Sequence, residues 1–277
     1  MRAFAISTRA AVLAAAVMAG GAVPVMAAPA DDVFELLRLD ELIEVMREEG
    51  LSSGAEMASS MGLRADAVWQ ERVGAIYDTA AMEEVLRDAL DDSLDPAIVP
   101  QLTSFFTTAP GADFLEWEIA ARRALLDPDV EAAAQEAAAA AFAADNPRLA
   151  LIGAYIAAND IIESNVSGGM NGSYAFYRGM RAGGALPPEL TDSMILQDVW
   201  LQEDVLRENT TDWAYSYLFM AYAPADDAAL EAYIAFSESE AGQGMSSSLF
   251  AAFDTLFVTL SEAMGLAVAQ RLATLEL

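Results

Sequence analysis

Apolar residues recur at spacings of three and four from Asp31 to the end of the chain, and this pattern limits the possible folds more than any other feature. The segment FELLRLDELIEVM, for example, separates Phe34, Leu37, Ile43 and Val45 from its charged residues. Alanine, which has the highest helix propensity, is abundant, and no segment alternates apolar and polar residues over the length of a strand. The sequence therefore predicts an all-α fold, a helical bundle.

Three dipeptides, Asp95-Pro96, Asp127-Pro128 and Asn146-Pro147, are typical of helix starts. In each, a side chain that can cap backbone N–H groups precedes a proline, whose fixed φ suits the first turn of a helix. We therefore expect helices to begin at these three points.

One phrase occurs twice, as FFTTAPGA from Phe105 and as FSESEAGQ from Phe236, at an offset of 131 residues. An internal repeat of this kind indicates duplication. We therefore predict two pseudo-symmetric halves, 31–146 and 147–277, of about four to six helices each; the sequence leaves open whether they share one core. The same offset aligns Asp95 with Asp226, Gly111 with Gly242, and Trp69 with Trp200.

The phrase itself predicts the corner of a helical hairpin. A glycine just beyond a helix can adopt the left-handed conformation that ends it, and we expect Gly111 and Gly242 to do so. Phe105 and Phe236 would pack about two turns back. Hydroxyl groups at this corner, such as that of Ser239, are expected to bond to the nearby backbone.

The second copy resembles the F-x-x-S-x-x-G-Q motif of a family of secreted bacterial domains, the domain-of-unknown-function family two-zero-five-nine. This resemblance implies a helical exported protein, probably a tandem of two copies, and brings no activity or catalytic residues with it. In the second copy the matching residues are Phe236, Ser239, Gly242 and Gln243. The first copy keeps Phe105 and Gly111 and has Thr108 in place of the serine.

The first thirty residues have the layout of a secretory signal peptide. Arg2 and Arg9 precede a long apolar run that ends in small residues, with cleavage expected after Ala27 or as late as Ala30. Gly20, Gly21 and Pro24 interrupt the run before the roughly 20 residues that a membrane span needs. We therefore expect a periplasmic or secreted bacterial protein with no stable membrane insertion after cleavage.

Three residue types are missing from the chain, namely His, Cys and Lys. Imidazole bases, thiolate nucleophiles, Schiff-base lysines and the common zinc ligands are therefore excluded, and the sequence predicts no cofactor and no metal site. The chain has 14 basic and 43 acidic residues, a net charge of −29, which repels nucleic acid. An envelope protein or a small molecule remains as the partner, and the oligomeric state stays open.

One helix face carries the best candidate for a ligand site. Tyr174, Tyr177, Arg178 and Arg181 fall at i, i+3, i+4 and i+7 and could hold a carboxylate or a sugar ring. Alternatively, both arginines pair with neighbouring carboxylates.

A second set of candidates lies in the segment WAYSYLFMAYAP. Its aromatic residues, including Trp213 and Tyr217, surround most of a helix, which is typical of a core helix or of a helix that lines a pocket.

Small residues also form two stripes along predicted helices. Ser164, Gly168 and Gly172 recur at every fourth position, as do Gly50 and Gly54. Such stripes favour close crossing of two helices.

These observations favour a non-catalytic exported protein that binds a partner or gives structural support in the bacterial envelope. The first alternative is a small-molecule carrier with an aromatic and arginine-lined pocket between helices. The second is a carboxylate-dependent hydrolase of envelope glycans, which would need two facing carboxylates about 5–10 Å apart.

Overall fold

The computed structural model describes residues 29–274, and within this range the chain is all-α, without strands. The predicted signal peptide lies almost entirely outside the described residues. The α-helices are α1 (Pro29–Leu36), α2 (Leu39–Ser60), α3 (Ala67–Ile76), α4 (Thr79–Ser93), α5 (Val99–Phe106), α6 (Gly111–Ala124), α7 (Pro128–Ala143), α8 (Arg148–Ala158), α9 (Ile161–Ala182), α10 (Asp192–Trp200), α11 (Glu203–Ala221), α12 (Asp227–Ser237) and α13 (Glu240–Ala273).

The longest helix, α13, lies at the centre of the bundle. It packs along α9 and also contacts α3 and α4. Its most apolar 18 residues have a mean hydropathy of 1.4, so by length and composition alone α13 could cross a bilayer. Because Leu256, Leu260 and Val268 are buried against other helices, we describe α13 as the core helix of the bundle.

The main hydrophobic core draws on both predicted halves. Leu86 and Leu102 from the first half pack in the same cluster as Ile152, Leu230 and Leu256 from the second. The ranges 31–146 and 147–277 therefore share one core.

The predicted helix starts are confirmed. The carboxylate of Asp95 accepts a hydrogen bond from the Ala97 N–H at 2.9 Å, at the start of a short 3₁₀ turn that leads into α5. Asp127 caps α7 in the same way, at 2.9 Å from the Asp129 nitrogen. Asn146 accepts from the backbone N–H at the start of α8 at 3.0 Å. Each cap satisfies an N–H group that the helix itself leaves unpaired.

The repeated phrase does form two helix corners, but the predicted role of its glycines is wrong. Gly111 is the first residue of α6 and Gly242 lies in the first turn of α13, and neither has a positive φ. The requirement for glycine is steric. A Cβ atom at Gly111 would collide with the Phe105 carbonyl, and one at Gly242 with the Phe236 carbonyl.

The two corners also touch each other. The rings of Phe105 and Phe236 stack with centroids 3.8 Å apart and planes 5° from parallel. Ser239 donates to the Phe236 carbonyl at 2.6 Å, and Thr108 donates to the Ser104 carbonyl at 3.0 Å, so the expected local hydroxyl bonds are confirmed.

Trp69 and Trp200 do not occupy matching places, so their predicted pairing is wrong. Trp69 is the third residue of α3, is 2% exposed and donates to the Gly54 carbonyl at 2.9 Å. Trp200 is the last residue of α10 and is 61% exposed. The offset of 131 residues therefore does not extend to this pair.

Close helix crossing is confirmed for α2 and occurs later than expected on α9. Gly50 and Gly54 of α2 lie against Tyr77 and Val73, so that α3 and the residue that follows it pack closely on α2. On α9 the backbone contact with α13 falls at Gly179, where a Cβ atom would collide with the Glu262 carbonyl. The predicted stripe from Ser164 to Gly172 lies nearer the start of α9.

Candidate functional site

An open groove of about 920 Å³, here called the outer groove, runs between α2, α9, α11 and α13. It exists because α9 and α13 run side by side in the same direction and touch through their backbones only near Gly179 and Gly265. Nearer the start of α9 the contact with α13 is through side chains, as between Gly172 and Ser261. The lining is mainly apolar and includes Leu42, Met46, Met57, Phe176, Met180, Trp213, Phe250, Phe253 and Phe257.

The stripe of small residues on α9 forms one wall of the outer groove. Ser164, Gly168 and Gly172 all line it, together with Asn165 and Ser173. Because these side chains are short or absent, the wall leaves room that larger residues would fill. The stripe thus contributes to the groove rather than to the closest helix crossing.

A second, smaller space of about 260 Å³, here called the inner cavity, adjoins the outer groove. The two share the lining residues Leu42, Arg122, Tyr217, Phe250 and Phe253. The inner cavity therefore continues the outer groove into the bundle.

One carboxyl group lines the inner cavity, that of Glu118 on α6. Its Oε1 accepts a hydrogen bond from the Tyr222 hydroxyl at 2.6 Å and a longer one from Tyr155 at 3.4 Å. Tyr217 donates to its backbone carbonyl at 3.0 Å. Tyr233, from α12, also approaches the carboxyl group. Four tyrosines from three different parts of the chain thus surround one acid.

Burial raises the pKa of Glu118, since an ionised carboxylate loses hydration in the interior, and the tyrosine hydrogen bonds offset this only partly. The residue keeps some accessible surface because it lines the inner cavity. Burial likewise raises the pKa of Tyr217, Tyr222 and Tyr233, with the charge of Glu118 as the next cause. These hydroxyls therefore remain neutral hydrogen-bond donors.

Arg122 lies one helical turn after Glu118, where the outer groove meets the inner cavity. Its guanidinium pairs with Glu49 at 2.8 Å and sits 5.0 Å from the Trp213 ring. Within the described part of the chain its Nε is buried without a hydrogen-bond partner. The positive charge is therefore already balanced by Glu49 and by the indole ring.

Three of the six predicted ligand-binding residues line the outer groove, namely Tyr177, Trp213 and Tyr217. Trp213 and Tyr217 stack with centroids 5.0 Å apart, and the Tyr177 hydroxyl donates to Asp198 at 2.7 Å. Their rings form part of an aromatic wall.

The other three predicted residues lie elsewhere. Arg178 pairs with Glu262 at 3.0 Å, and Arg181 pairs with Asp192 and donates to the Leu190 carbonyl. Tyr174 is half-buried and does not belong to the groove lining. The structure thus places both arginines in ion pairs, which was the alternative interpretation.

Glu118 and Arg122 were not predicted, although a signal for Glu118 exists in the sequence. Phe114, Glu118 and Ala121 fall at i, i+4 and i+7 of α6, and Phe114 and Ala121 are buried. A carboxyl group on the apolar face of a helix is rare unless it is paired or functional.

The chain matches no protein-family model, no curated protein and no solved structure. The resemblance to family two-zero-five-nine therefore stays a prediction. Among residues 29–274, no three acidic side chains come together in a way that could hold a metal ion.

Proposed function

We propose that the protein is a non-catalytic, exported binding protein that carries an apolar small molecule in its outer groove. The observation that supports this most directly is the groove itself. Its volume of about 920 Å³ lies within the range of about 300–1,000 Å³ that is common for small-molecule sites. Its walls combine apolar and aromatic side chains with few polar groups, as such sites do.

The packing around the groove supports a preformed site. Tightly packed interiors leave few voids larger than a water molecule, and a volume of this size between helices in contact is therefore unusual. Gly179 and Gly265 hold α9 against α13 at one end, while Leu206 packs against Gly169 beside the groove. The groove thus has fixed walls and does not depend on a loop to form it.

Binding of a neutral apolar dye tests the proposal. We expect N-phenyl-1-naphthylamine to bind the wild-type protein and to quench Trp213, which lines the groove. Gly168→Leu should weaken this binding at least tenfold, since the added side chain takes up groove volume. A Cβ atom at Gly168 would meet only Asp254, at an ordinary 3.5 Å, so the helix can accept the change.

Gly74→Leu is the matched control. It also replaces a helical glycine by leucine, but a Cβ atom there would meet only the Arg47 side chain at 4.0 Å, away from the groove. Dye affinity should stay within about twofold of wild type. If the wild-type protein does not bind the dye, or if both variants bind it equally well, the carrier proposal is wrong.

Glycan hydrolysis has weaker support. A glycosidase needs an acid and a second carboxylate across the bond to be cleaved. Glu118, with its raised pKa, resembles the acid, but it is the one carboxyl group among the described residues that line the inner cavity. A lone carboxyl group surrounded by tyrosines is better suited to binding than to hydrolysis.

The export and envelope role in this proposal depend on the signal-peptide pattern and on the resemblance to family two-zero-five-nine. Cleavage after Ala27 is the better of the two sites, since Ala30 is buried in α1 and would be lost by the later cut. Mass spectrometry of the protein recovered from a bacterial periplasm would give the mature N-terminus and test both points.

We include in the proposal that the two halves arose by duplication. Two helices of 22 residues, α2 and α9, each follow a residue in the left-handed conformation, Arg38 and Asp160. The stacked pair Phe105 and Phe236 and the matching glycines at the two corners also favour it. The different surroundings of the two tryptophans described above count against an exact repeat.

A further inference from the structure

The inner cavity has a chemical character different from that of the outer groove. Its volume of about 260 Å³ corresponds to roughly nine water molecules at ~30 Å³ each, which suits a small head group rather than a chain. It contains the one carboxyl group, Glu118, and adjoins the apolar groove through shared residues. A molecule that fills both spaces would have an apolar body and one polar end.

Aromatic rings surround the same cavity. Phe106, Tyr155, Tyr217, Tyr233 and Phe253 all belong to its lining. The face of an aromatic ring carries partial negative charge, so rings grouped around a small space favour a cation, above all a quaternary ammonium group. A carboxylate within the ring set adds a full negative charge to the same preference.

We propose that the inner cavity binds the ammonium group of a cationic amphiphile whose alkyl chain lies in the outer groove. This inference rests on the proposed carrier function, and it specifies the ligand class. Glu118 supplies the counter-ion, and the rings of Tyr155, Tyr217 and Tyr233 enclose the head group.

The charges around the cavity favour a cation over an anion. Among the described lining residues Arg122 is the one cation, and its guanidinium already pairs with Glu49. An anionic head group would therefore meet Glu118 without a free positive charge to balance it. The net charge of −29 also raises the local concentration of cations at the surface of the protein.

Binding of the cation should be linked to the protonation of Glu118. The groups that face its carboxyl group are Tyr155 from α8, Tyr217 and Tyr222 at the end of α11, and Tyr233 from α12; Arg122 is the nearest charge on its own helix. The tyrosine pKa values are raised, so these hydroxyls stay protonated while Glu118 titrates. A bound cation stabilises the carboxylate, and binding should therefore weaken as the pH falls and Glu118 becomes protonated.

Three probes with the same eight-carbon chain test the inference by titration calorimetry of the purified protein. Octyltrimethylammonium should bind at least tenfold more tightly than 1-octanol, and octanoate should bind most weakly. If octanoate binds most tightly, or if the cation has no advantage over the alcohol, the inference is overturned. In the second case the alcohol still binds, and the carrier proposal survives.

Glu118→Gln removes the charge and keeps a similar shape, and it should weaken octyltrimethylammonium binding by about 30-fold or more while 1-octanol binding stays within about threefold. Glu116→Gln, at an exposed position on the same helix, should change neither. Circular dichroism of each variant shows whether it folds. If folded Glu118→Gln binds the cation as wild type does, Glu118 is not the counter-ion and the inference fails. If no probe binds wild type, the carrier proposal itself fails.

Discussion

Replacing Glu118 by glutamine should change the pH dependence of stability in a direction that the structure fixes. Glu118 is enclosed by Tyr155, Tyr222 and Tyr233, and burial raises the pKa of its carboxyl group. Glutamine has nearly the same shape and cannot ionise. The variant therefore removes one titrating group and leaves the packing of α6 largely in place.

The sign follows from proton linkage. In the unfolded chain a glutamate carboxyl group has a pKa of about 4.3. Above that pH, and until the higher pKa of the folded state is reached, the folded protein keeps a proton that the unfolded chain has released. The stability that Glu118 contributes is thus fully present below about pH 4.3. It is lost as the pH rises, at about 1.4 kcal/mol per pH unit over that interval.

The free energy of unfolding should therefore fall less with rising pH in Glu118→Gln than in wild type. At pH 4 the variant is expected to be less stable by about 1 kcal/mol, because its amide replaces a hydrogen-bonded carboxyl group. As the pH rises towards 7 this difference should shrink and then reverse. The slope of the difference, rather than its value at any one pH, carries the prediction.

Urea denaturation of wild type, Glu118→Gln and Glu116→Gln at half-unit steps from pH 4 to pH 8 measures this slope. The two variants have the same net charge, so subtracting one from the other cancels the general repulsion of an acidic protein. A difference that does not change with pH would show that Glu118 titrates as an ordinary surface carboxyl group. A slope of the opposite sign would show that the folded state prefers the carboxylate.

The remaining predictions concern stability and are also measured by urea denaturation. Gly265→Ala should destabilise the fold by about 1–3 kcal/mol, since the added methyl group collides with the Phe176 carbonyl; unchanged stability would mean that α9 and α13 are less close. Tyr222→Phe should cost about 1–3 kcal/mol, because Glu118 loses its shorter hydrogen bond; a neutral effect would remove that bond from the account. Asp226→Ala should cost about 1 kcal/mol through the lost cap of α12 at the Ala229 nitrogen, and no change would mean that water replaces it.

The helical fold and many helix starts could be predicted because they depend on neighbours in the sequence. Asp127 caps α7 through a residue only two positions away, and this bond needs no tertiary contact. The local hydroxyl bonds at Ser239 and Thr108 were predictable for the same reason. Aromatic periodicity also placed Trp213 and Tyr217 on a helix that lines the groove.

The inner cavity could not be predicted, because it depends on contacts between distant residues. Glu118 meets Tyr155 across 37 positions of the chain and Tyr222 across 104. Sequence spacing also favoured Arg178 as a ligand group, whereas Glu262 on a neighbouring helix pairs with it. A glycine has no side-chain pattern of its own, so the prediction of a left-handed conformation at Gly242 followed position alone. The close Phe236 carbonyl was not visible in the sequence.

The groove arises where the two proposed copies differ most. In the first copy Asp127 and Pro128 end α6 and start α7, so the chain turns there. At the matching place in the second copy, 131 residues later, Val258 and Thr259 continue α13 without a break. Because α13 does not turn, its middle part, which carries Phe250, Phe253 and Phe257, stays alongside α9 and forms the aromatic wall of the groove. If the copies share an ancestor, the loss of this break gave the second copy the long helix on which the binding site depends.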